Sequence, residues 1–251
     1  MKKILAALCA AITLTMTGCS FGGTQTYNVM NEYNFAEMTL VQLEPPKDGD
    51  MIAIFDTSMG EIRAVLYPEY APNYVAAFTE KVNSGYYNGL KVYGIMDDIY
   101  FLSGSKYTAE QNYTGRETDE ELIANECNVN LWPFKGALVA FSEKPGYSDA
   151  RYFIVNTDSE SLTEDGIKSL KDSVANRENE AERNNLTNLF DKFYEIGGAF
   201  GASGTYPVFG QTYQGLDVIE KICAVPTDEN NMPQQEVIIN SVTISEYKSE
   251  S

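Results

Sequence analysis

Residues that could act as nucleophiles, general bases or metal ligands are scarce in this sequence. Its 251 residues include no histidine and only four cysteines. Because Ser/His and Cys/His catalysis and most catalytic zinc sites need an imidazole, the composition argues against those chemistries. We therefore expect neither a metal site nor a cofactor.

The second cysteine lies at the end of a targeting pattern. Two lysines precede an apolar run, Ile4–Met16, which is too short to span a bilayer. Thr17-Gly18-Cys19 follows, and small residues before a cysteine resemble a bacterial lipobox, with Met16 in place of the usual leucine. We predict a lipoprotein signal peptide over residues 1–18, with lipid on the Cys19 sulfur anchoring an exported, extracytoplasmic protein to the cell membrane. The alternative is an ordinary signal peptide with an incidental cysteine.

Two cysteines, Cys127 and Cys223, remain in the body of the chain. They could form a disulfide in an oxidising envelope, or they could be two buried free thiols. The sequence leaves both alternatives open.

The chain is strongly acidic, with a formal net charge of −18. Such a surface repels the phosphate backbone, so nucleic acid is not expected as a partner. A high net charge favours solubility, and we expect an exported monomer.

After the signal peptide, the sequence predicts a tether, one domain and an insertion within that domain. Residues 19–50 are mostly polar, with Gly22-Gly23 near the start and Pro45-Pro46 near the end, and they are predicted to be a tether. Residues 51–248 are enough for one domain with a well-buried core. Within that domain, residues 158–201 are predicted to be a helical insertion.

The domain begins with a strand, a turn, a second strand and a helix. Met51–Asp56 and Glu61–Tyr67 are rich in Ile, Val and Phe, and the turn between them closes with Gly60, which predicts a β-hairpin. Pro72 suits the first turn of a helix, and Gly85 suits its C-terminal cap.

Four segments, in order, resemble the cyclophilin-type peptidyl-prolyl isomerase family. They are Tyr67–Pro72 with Ser84–Gly89, then Lys135–Ala140, then Arg151–Val155, and finally Val208–Gly210 with Gly215–Ile222. The resemblance implies a mainly β fold, a closed antiparallel β-barrel capped by helices. It also implies an activity on Xaa-Pro segments, which would here belong to exported proteins.

Prolyl isomerisation must overcome an amide rotation barrier of about 18–20 kcal/mol. Members of the family hold the proline in an apolar pocket and direct an arginine donor at the amide nitrogen. In this chain the family's Phe-His-Arg falls on Val92-Tyr93-Gly94, so the arginine position is Gly94. The family's pocket glutamine falls on Leu102. The resemblance thus implies a degenerate catalytic site with weak or lost activity.

Other pocket positions keep an apolar and partly aromatic character. The resemblance assigns peptide binding to four residues, Tyr100, Leu102, Phe153 and Tyr206. Arg151 replaces a second pocket glutamine and is the one candidate for a catalytic donor. The alternatives are that the aromatic residues only fill the core, and that Arg151 is a surface residue paired with Asp149 or Glu143.

The insertion shows two helical stripes, which are Ile167, Leu170 and Val174 followed by Leu186, Leu189, Phe190 and Phe193. Ser161 and Glu164 match a capping box at the start of the first helix. These helices could simply pack on the barrel, or they could roof the binding groove. The sole tryptophan, Trp132, is expected to pack in the core.

Three functions remain open from the sequence. The first is an extracytoplasmic isomerase of weak or lost activity. The second is a non-catalytic module that binds extended or proline-containing segments, which the glycine at position 94 favours. The third is an envelope lipoprotein whose insertion docks a partner protein.

Overall fold

The structure is a computed structural model that describes residues 32–96, 98–106, 121–159 and 163–249. The predicted signal peptide, Cys19, the first part of the predicted tether and Ser161 lie outside the described residues. Within the described ranges, no helix is long and apolar enough to cross a membrane.

Strands dominate the described part of the chain. They are β1 (Met51–Thr57), β2 (Gly60–Leu66), β3 (Leu90–Lys91), β4 (Gly94–Met96), β5 (Tyr100–Ser103), β6 (Ile123–Ala124), β7 (Ala137–Ala140), β8 (Tyr147–Ser148), β9 (Tyr152–Val155), β10 (Val208–Gln214) and β11 (Ile238–Glu246). The α-helices are α1 (Pro72–Asn83), α2 (Glu164–Val174), α3 (Glu180–Ile196) and α4 (Leu216–Cys223).

Nine strands form one antiparallel sheet in the order β3-β11-β1-β2-β10-β7-β9-β5-β4. Its two edge strands, β3 and β4, are consecutive in the chain and are joined by Val92 and Tyr93. The Val92 N–H donates to the Val237 carbonyl (2.9 Å), and the Tyr93 N–H donates to the Leu102 carbonyl (3.0 Å). Because β3 and β4 do not pair with each other, the sheet is a curled half-barrel, and the predicted closed barrel is not confirmed.

The predicted hairpin and helix at the start of the domain are both present. Gly60 closes the turn between β1 and β2 with φ of 134°, and a Cβ there would lie 2.8 Å from Val218 of α4. Helix α1 begins at Pro72, but its N-cap residue, Ala71, has no side chain that can cap it. The Glu126 carboxylate accepts the free N–H groups of the first turn instead.

The half-barrel encloses one core, to which α1 and α4 contribute. Its largest fully buried side chains are Phe55, Phe78, Tyr87, Phe101, Tyr152 and Phe209. Cys223 of α4 also lies in this core. Cys127 and Cys223 are not joined by a disulfide, so that alternative is not what the structure has.

The insertion forms the two predicted helices, but the first is capped differently from the prediction. The α2 N-cap is Thr163, whose hydroxyl accepts from the Gly166 N–H at 3.1 Å. The capping box predicted at Ser161 and Glu164 is therefore wrong, because Glu164 is the first helical residue and not the third. The side chains predicted for the two stripes face inward, with Leu170 half-buried and the rest buried.

The predicted tether is not confirmed for residues 33–43, which pack on the domain. We call residues 33–43 the N-terminal arm. Phe35 and Met38 of the arm are buried in a second core that they share with α2, α3, Trp132 and Phe200. Gln42 of the arm donates to the Trp132 carbonyl (2.8 Å) and accepts from the Trp132 N–H. These contacts outweigh the polar composition that suggested a free linker.

Trp132 is 1% exposed at the centre of this second core, as the sequence predicted. Its indole stacks on the rings of Phe35 and Phe200 and donates to the Val129 carbonyl at 2.8 Å. The insertion thus packs on the arm and on the segment before β7. Neither α2 nor α3 contributes a buried residue to the cluster around Phe153, whereas Ala199, which follows α3, belongs to that cluster.

Candidate functional site

The alternation of side chains along β9 separates the core from the candidate site. Tyr152 and Ile154 point into the half-barrel core, whereas Phe153 and Val155 belong to a different cluster on the opposite face of the sheet. Arg151, directly before the strand, is on the same side as Phe153. The candidate site is therefore on the outer face of the sheet.

Phe153 is surrounded by three aromatic rings. Its ring centroid lies 4.8 Å from that of Tyr100, 5.9 Å from that of Tyr206 and 6.4 Å from that of Phe141. As a result, Phe153 is only 1% exposed. We call this cluster of four rings the aromatic hollow. A ligand reaches Phe153 only if one of these rings moves.

Three of the four residues predicted to bind peptide therefore meet in the aromatic hollow, namely Tyr100, Phe153 and Tyr206. Leu102, the fourth, is opposite Phe153 in the pairing of β5 with β9 and is half-buried in the same cluster. Phe141 was missed. The available signal was an aromatic residue at the end of a predicted strand, because binding residues are concentrated on the connections between strands.

The position that resembles the family's arginine lies on the edge strand β4. Gly94 pairs with Leu102 of β5, and a Cβ added at Gly94 would lie 3.2 Å from Cδ1 of Leu102. A longer side chain at position 94 would require Leu102 to shift. Gly94 and Leu102 are thus sterically compatible. A small residue and an apolar one face each other at the positions where the resemblance implies two polar groups.

Arg151 is buried and paired with a carboxylate. Its Nε donates to Oδ1 of Asp149 at 2.9 Å, and its Nη2 donates to Oδ2 at 2.6 Å. Arg151 is 2% exposed and Asp149 is 1% exposed. The alternative of a surface arginine paired with Asp149 is therefore right about the partner and wrong about the location.

Arg151 contacts the aromatic hollow through Phe141. Its guanidinium carbon lies 5.3 Å from the centroid of the Phe141 ring, within the range of a cation–π interaction. Because the guanidinium is held by Asp149 on one side and Phe141 on the other, it can fix the orientation of that ring. Its role as a donor to a bound peptide remains a prediction.

Tyr206 supplies a hydroxyl at the rim of the hollow. Burial, and next the negative charge of Glu143, raise its pKa to about 12. The phenol is therefore protonated at neutral pH and can donate or accept a hydrogen bond, but it is not a base. Among the described residues, no group of three or more His, Cys, Asp or Glu side chains is placed to hold a metal ion.

An open depression of about 510 Å³ lies elsewhere, along the exposed side of α1. Its lining comprises Met51, Pro68, Pro72, Val75, Ala76, Thr79, Glu80 and Asn83. None of the predicted site residues lines it. Its surface is almost wholly apolar, and we do not assign the candidate site to it, because it lacks the convergent polar groups that orient a ligand.

Comparisons with known proteins agree with this fold. A protein of Staphylococcus aureus (strain USA300), described as "Putative peptidyl-prolyl cis-trans isomerase", is 23% identical over 200 residues, covering 80% of this chain and 94% of that protein. A protein of Staphylococcus epidermidis with the same description is 22% identical over the same shares of the two chains.

Solved structures show the same fold. The crystal structure of a cyclophilin-type peptidyl-prolyl cis-trans isomerase of Cryptosporidium parvum matches with a TM-score of 0.57 and 16% identity, covering 79% of this chain and 99% of that one. A second structure of that protein, in the presence of the dipeptide Ala-Pro, matches with a TM-score of 0.55 and 16% identity, covering 77% of this chain and 98% of that one.

The family assignment depends on a match to a family model. The model of "Cyclophilin type peptidyl-prolyl cis-trans isomerase/CLD" matches residues 52–244, which span both edges of the sheet, the aromatic hollow and the insertion. With the fold and the ordered segments pointing the same way, this chain belongs to the cyclophilin-type peptidyl-prolyl cis-trans isomerase family.

Proposed function

We propose that this protein binds Xaa-Pro segments of exported proteins at the aromatic hollow and isomerises them weakly or not at all. Family membership supports the ligand class, since a relative was solved in the presence of Ala-Pro. The tilted and edge-on rings around Phe153 form an apolar surface of the kind that packs against a proline ring. No cofactor takes part in this function.

The low activity is inferred from one observation at the edge of the sheet. Gly94 offers no side-chain donor, and Leu102, directly across from it, is apolar. Losing one preorganised donor where charge develops in the transition state costs about 10²–10³ in rate, or roughly 3–4 kcal/mol. The Arg151 guanidinium carbon lies 5.3 Å from the centroid of the Phe141 ring, and its ion pair with Asp149 restrains it.

A titration with short peptides tests the binding proposal. Ala-Pro and Ala-Ala dipeptides are added in parallel to the isotope-labelled protein, and chemical shifts of the Tyr100, Phe153 and Tyr206 rings are followed. We expect saturable shifts with Ala-Pro alone. Equal shifts with both dipeptides, or shifts confined to the α1 depression, would refute proline binding at the hollow. If binding is found, Arg151→Ala then shows whether residual turnover depends on that guanidinium.

A non-catalytic binding module is the second candidate, and the absence of a donor at Gly94 favours it. A partner-docking role of the insertion is the third. On α3, Tyr194 is 38% exposed, which offers one apolar contact for a protein partner. Co-purification with and without residues 158–201 separates docking by the insertion from binding at the hollow.

We also propose that the protein is exported and attached to the bacterial membrane by lipid on Cys19, as a monomer. The proposal is supported by the order of basic, apolar and small residues before that cysteine. Intact mass of the membrane fraction is the test. A mature chain that begins elsewhere, or a Cys19→Ala protein that stays on the membrane, would refute the proposal.

A further inference from the structure

The sequence contains a single Asn-Gly dipeptide, Asn88-Gly89. It lies in the turn between α1 and the edge strand β3, and both of its residues are exposed. Gly89 has φ of 78°, and a Cβ built on it would have no neighbour within 4 Å in the described part of the chain. With so little steric hindrance, the glycine nitrogen is open to approach by the side chain that precedes it.

That nitrogen can attack the side-chain amide of Asn88. In the first step the Gly89 nitrogen gives up its proton to a solvent base and bonds to Cγ of Asn88, while the Cγ–Nδ2 bond breaks and the side-chain nitrogen leaves as ammonia. Water then opens the cyclic imide. Attack at Cγ gives aspartate, whereas attack at the backbone carbonyl carbon gives isoaspartate, in which the main chain is longer by one atom. Overall, one water is consumed and one ammonia is released, with no change in oxidation state.

Strand β11 contacts both reacting groups. The Val242 N–H donates to Oδ1 of Asn88 at 3.4 Å, which favours the negative charge that develops on that oxygen when Cγ is attacked. The Gly89 N–H donates to the Ile239 carbonyl at 2.8 Å, so the nucleophile stays protonated and engaged while β3 and β11 are paired. Reaction therefore requires this bond to open locally, at the end of a strand of two residues.

We propose that Asn88 is a site of deamidation whose rate is set by opening of the Gly89–Ile239 hydrogen bond. Both residues of β3, Leu90 and Lys91, pair with β11 in a fixed register directly after this bond. The additional main-chain atom of isoaspartate shifts that register and so loosens the edge of the sheet. The aspartate product leaves the main chain as it was.

Incubation of the full chain in mildly alkaline buffer tests the modification. Trypsin cleavage after Lys81 and Lys91 then yields a peptide with two asparagines, Asn83 and Asn88. Fragment masses show at which of them a hydroxyl has replaced the amino group, and chromatography separates the aspartate and isoaspartate forms. We expect both forms at Asn88.

Asn83 is an internal control in the same peptide. It is exposed as well, but it is the last residue of α1, and the Ser84 N–H that follows it donates to the Glu80 carbonyl at 3.0 Å. We expect conversion at Asn88 to be at least about tenfold faster, because glycine leaves its nitrogen unhindered. Equal rates at the two asparagines would overturn Asn88 as the specific site.

Unfolding tests the control by the Gly89–Ile239 bond. In urea that unfolds the full chain, the Gly89 nitrogen is released, and we expect conversion at Asn88 to be about ten- to a hundredfold faster than in the folded protein. A synthetic peptide of residues 82–91, with and without urea, corrects for any effect of urea on the reaction itself. Equal rates in the folded and unfolded chain would overturn control by this bond. No detectable conversion in the folded chain after the peptide has reacted completely would overturn the site.

Amide hydrogen exchange tests the consequence for the sheet. The Val92 N–H, directly after β3, donates to the Val237 carbonyl at 2.9 Å. We expect it to exchange at least about tenfold faster in protein with isoaspartate at position 88, with the Ile154 amide of the core unchanged. Asn88→Asp is the matched control, because it adds the charge without the additional main-chain atom, and it should exchange as the unaltered protein does. Unchanged exchange at Val92 in the isoaspartate protein, or equal acceleration in Asn88→Asp, would overturn the proposed register shift.

Discussion

Arg151 and Asp149 form a doubly hydrogen-bonded ion pair that is almost wholly buried, with Nη2 of the arginine 2.6 Å from Oδ2 of the carboxylate. Only Ala150 lies between them along the chain, and the backbone N–H of Arg151 also donates to Oδ1 of Asp149. The pair fixes the start of β9 and orients the guanidinium under Phe141. The Arg151 guanidinium, which the family resemblance suggests as a catalytic donor, is thereby held in an ion pair with Asp149.

We expect Asp149→Asn to destabilise the protein by about 3–5 kcal/mol, because it leaves the buried Arg151 charge without its counter-ion. Urea unfolding at neutral pH measures the change. The control is Asp172→Asn, which breaks an exposed pair with Lys168 and should cost about 1 kcal/mol or less. A cost at Asp149 as small as that at Asp172 would contradict the burial of the pair.

The N-terminal arm gives a second prediction. Phe35→Ala removes a buried ring from the core around Trp132 and should cost about 3–5 kcal/mol. Since Trp132 is the sole tryptophan, its fluorescence reports on this core alone. We expect its emission to shift to longer wavelength in Phe35→Ala. Emission and stability like those of the unaltered protein would mean that the arm is a free tether after all.

Helix α1 depends on a carboxylate from a distant part of the chain. Glu126 accepts from the N–H groups of Asn73 and Tyr74 at 3.2 and 3.0 Å, replacing the cap that Ala71 cannot supply. Glu126→Ala should therefore cost about 0.5–2 kcal/mol, as the loss of an N-cap does. Glu80→Ala, exposed on the same helix, serves as the control. In thermal unfolding, we expect Glu126→Ala to have a lower melting temperature than Glu80→Ala. Equal melting temperatures would argue against the cap.

Alkaline pH should weaken the fold through Cys127. Burial raises the pKa of its thiol to about 12, from an ordinary value of 9.0. The neutral thiol is the form that the folded state favours, so this stabilisation is complete below pH 9 and is lost as the pH rises toward 12. Between pH 9 and 12, the free energy of unfolding of Cys127→Ser should fall less steeply with pH than that of the unaltered protein. Identical slopes of unfolding free energy against pH would refute this effect.

The sequence was informative where local chemistry determines the structure. The hairpin at Gly60, the helix that starts at Pro72 and the stripes of the insertion follow from turn chemistry and helical periodicity, and the structure has all three. The resemblance also brought Tyr100, Phe153 and Tyr206 together correctly, since matching strands place matching positions on the same face of the sheet.

What the sequence missed depends on contacts between distant residues. The arm looks like a polar linker because its fully buried side chains, Phe35, Met38 and Gln42, are few, and their partners lie some ninety or more positions later. Asp149 and Arg151 read as a surface pair because their burial comes from strands elsewhere in the sheet. The predicted closed barrel is not confirmed for a similar reason. Whether the short edge strands β3 and β4 pair depends on the curl of the whole sheet.

We propose that this family member lacks the side-chain donor for prolyl isomerisation, because Gly94, the position that resembles the family's arginine, faces the apolar Leu102. The most direct measurement compares kcat/KM on one short Xaa-Pro peptide for this protein and for the cyclophilin-type isomerase of Cryptosporidium parvum under the same conditions. We predict a value lower by about 10²–10³, the usual cost of one missing preorganised donor. A kcat/KM equal to that of the relative would contradict the account.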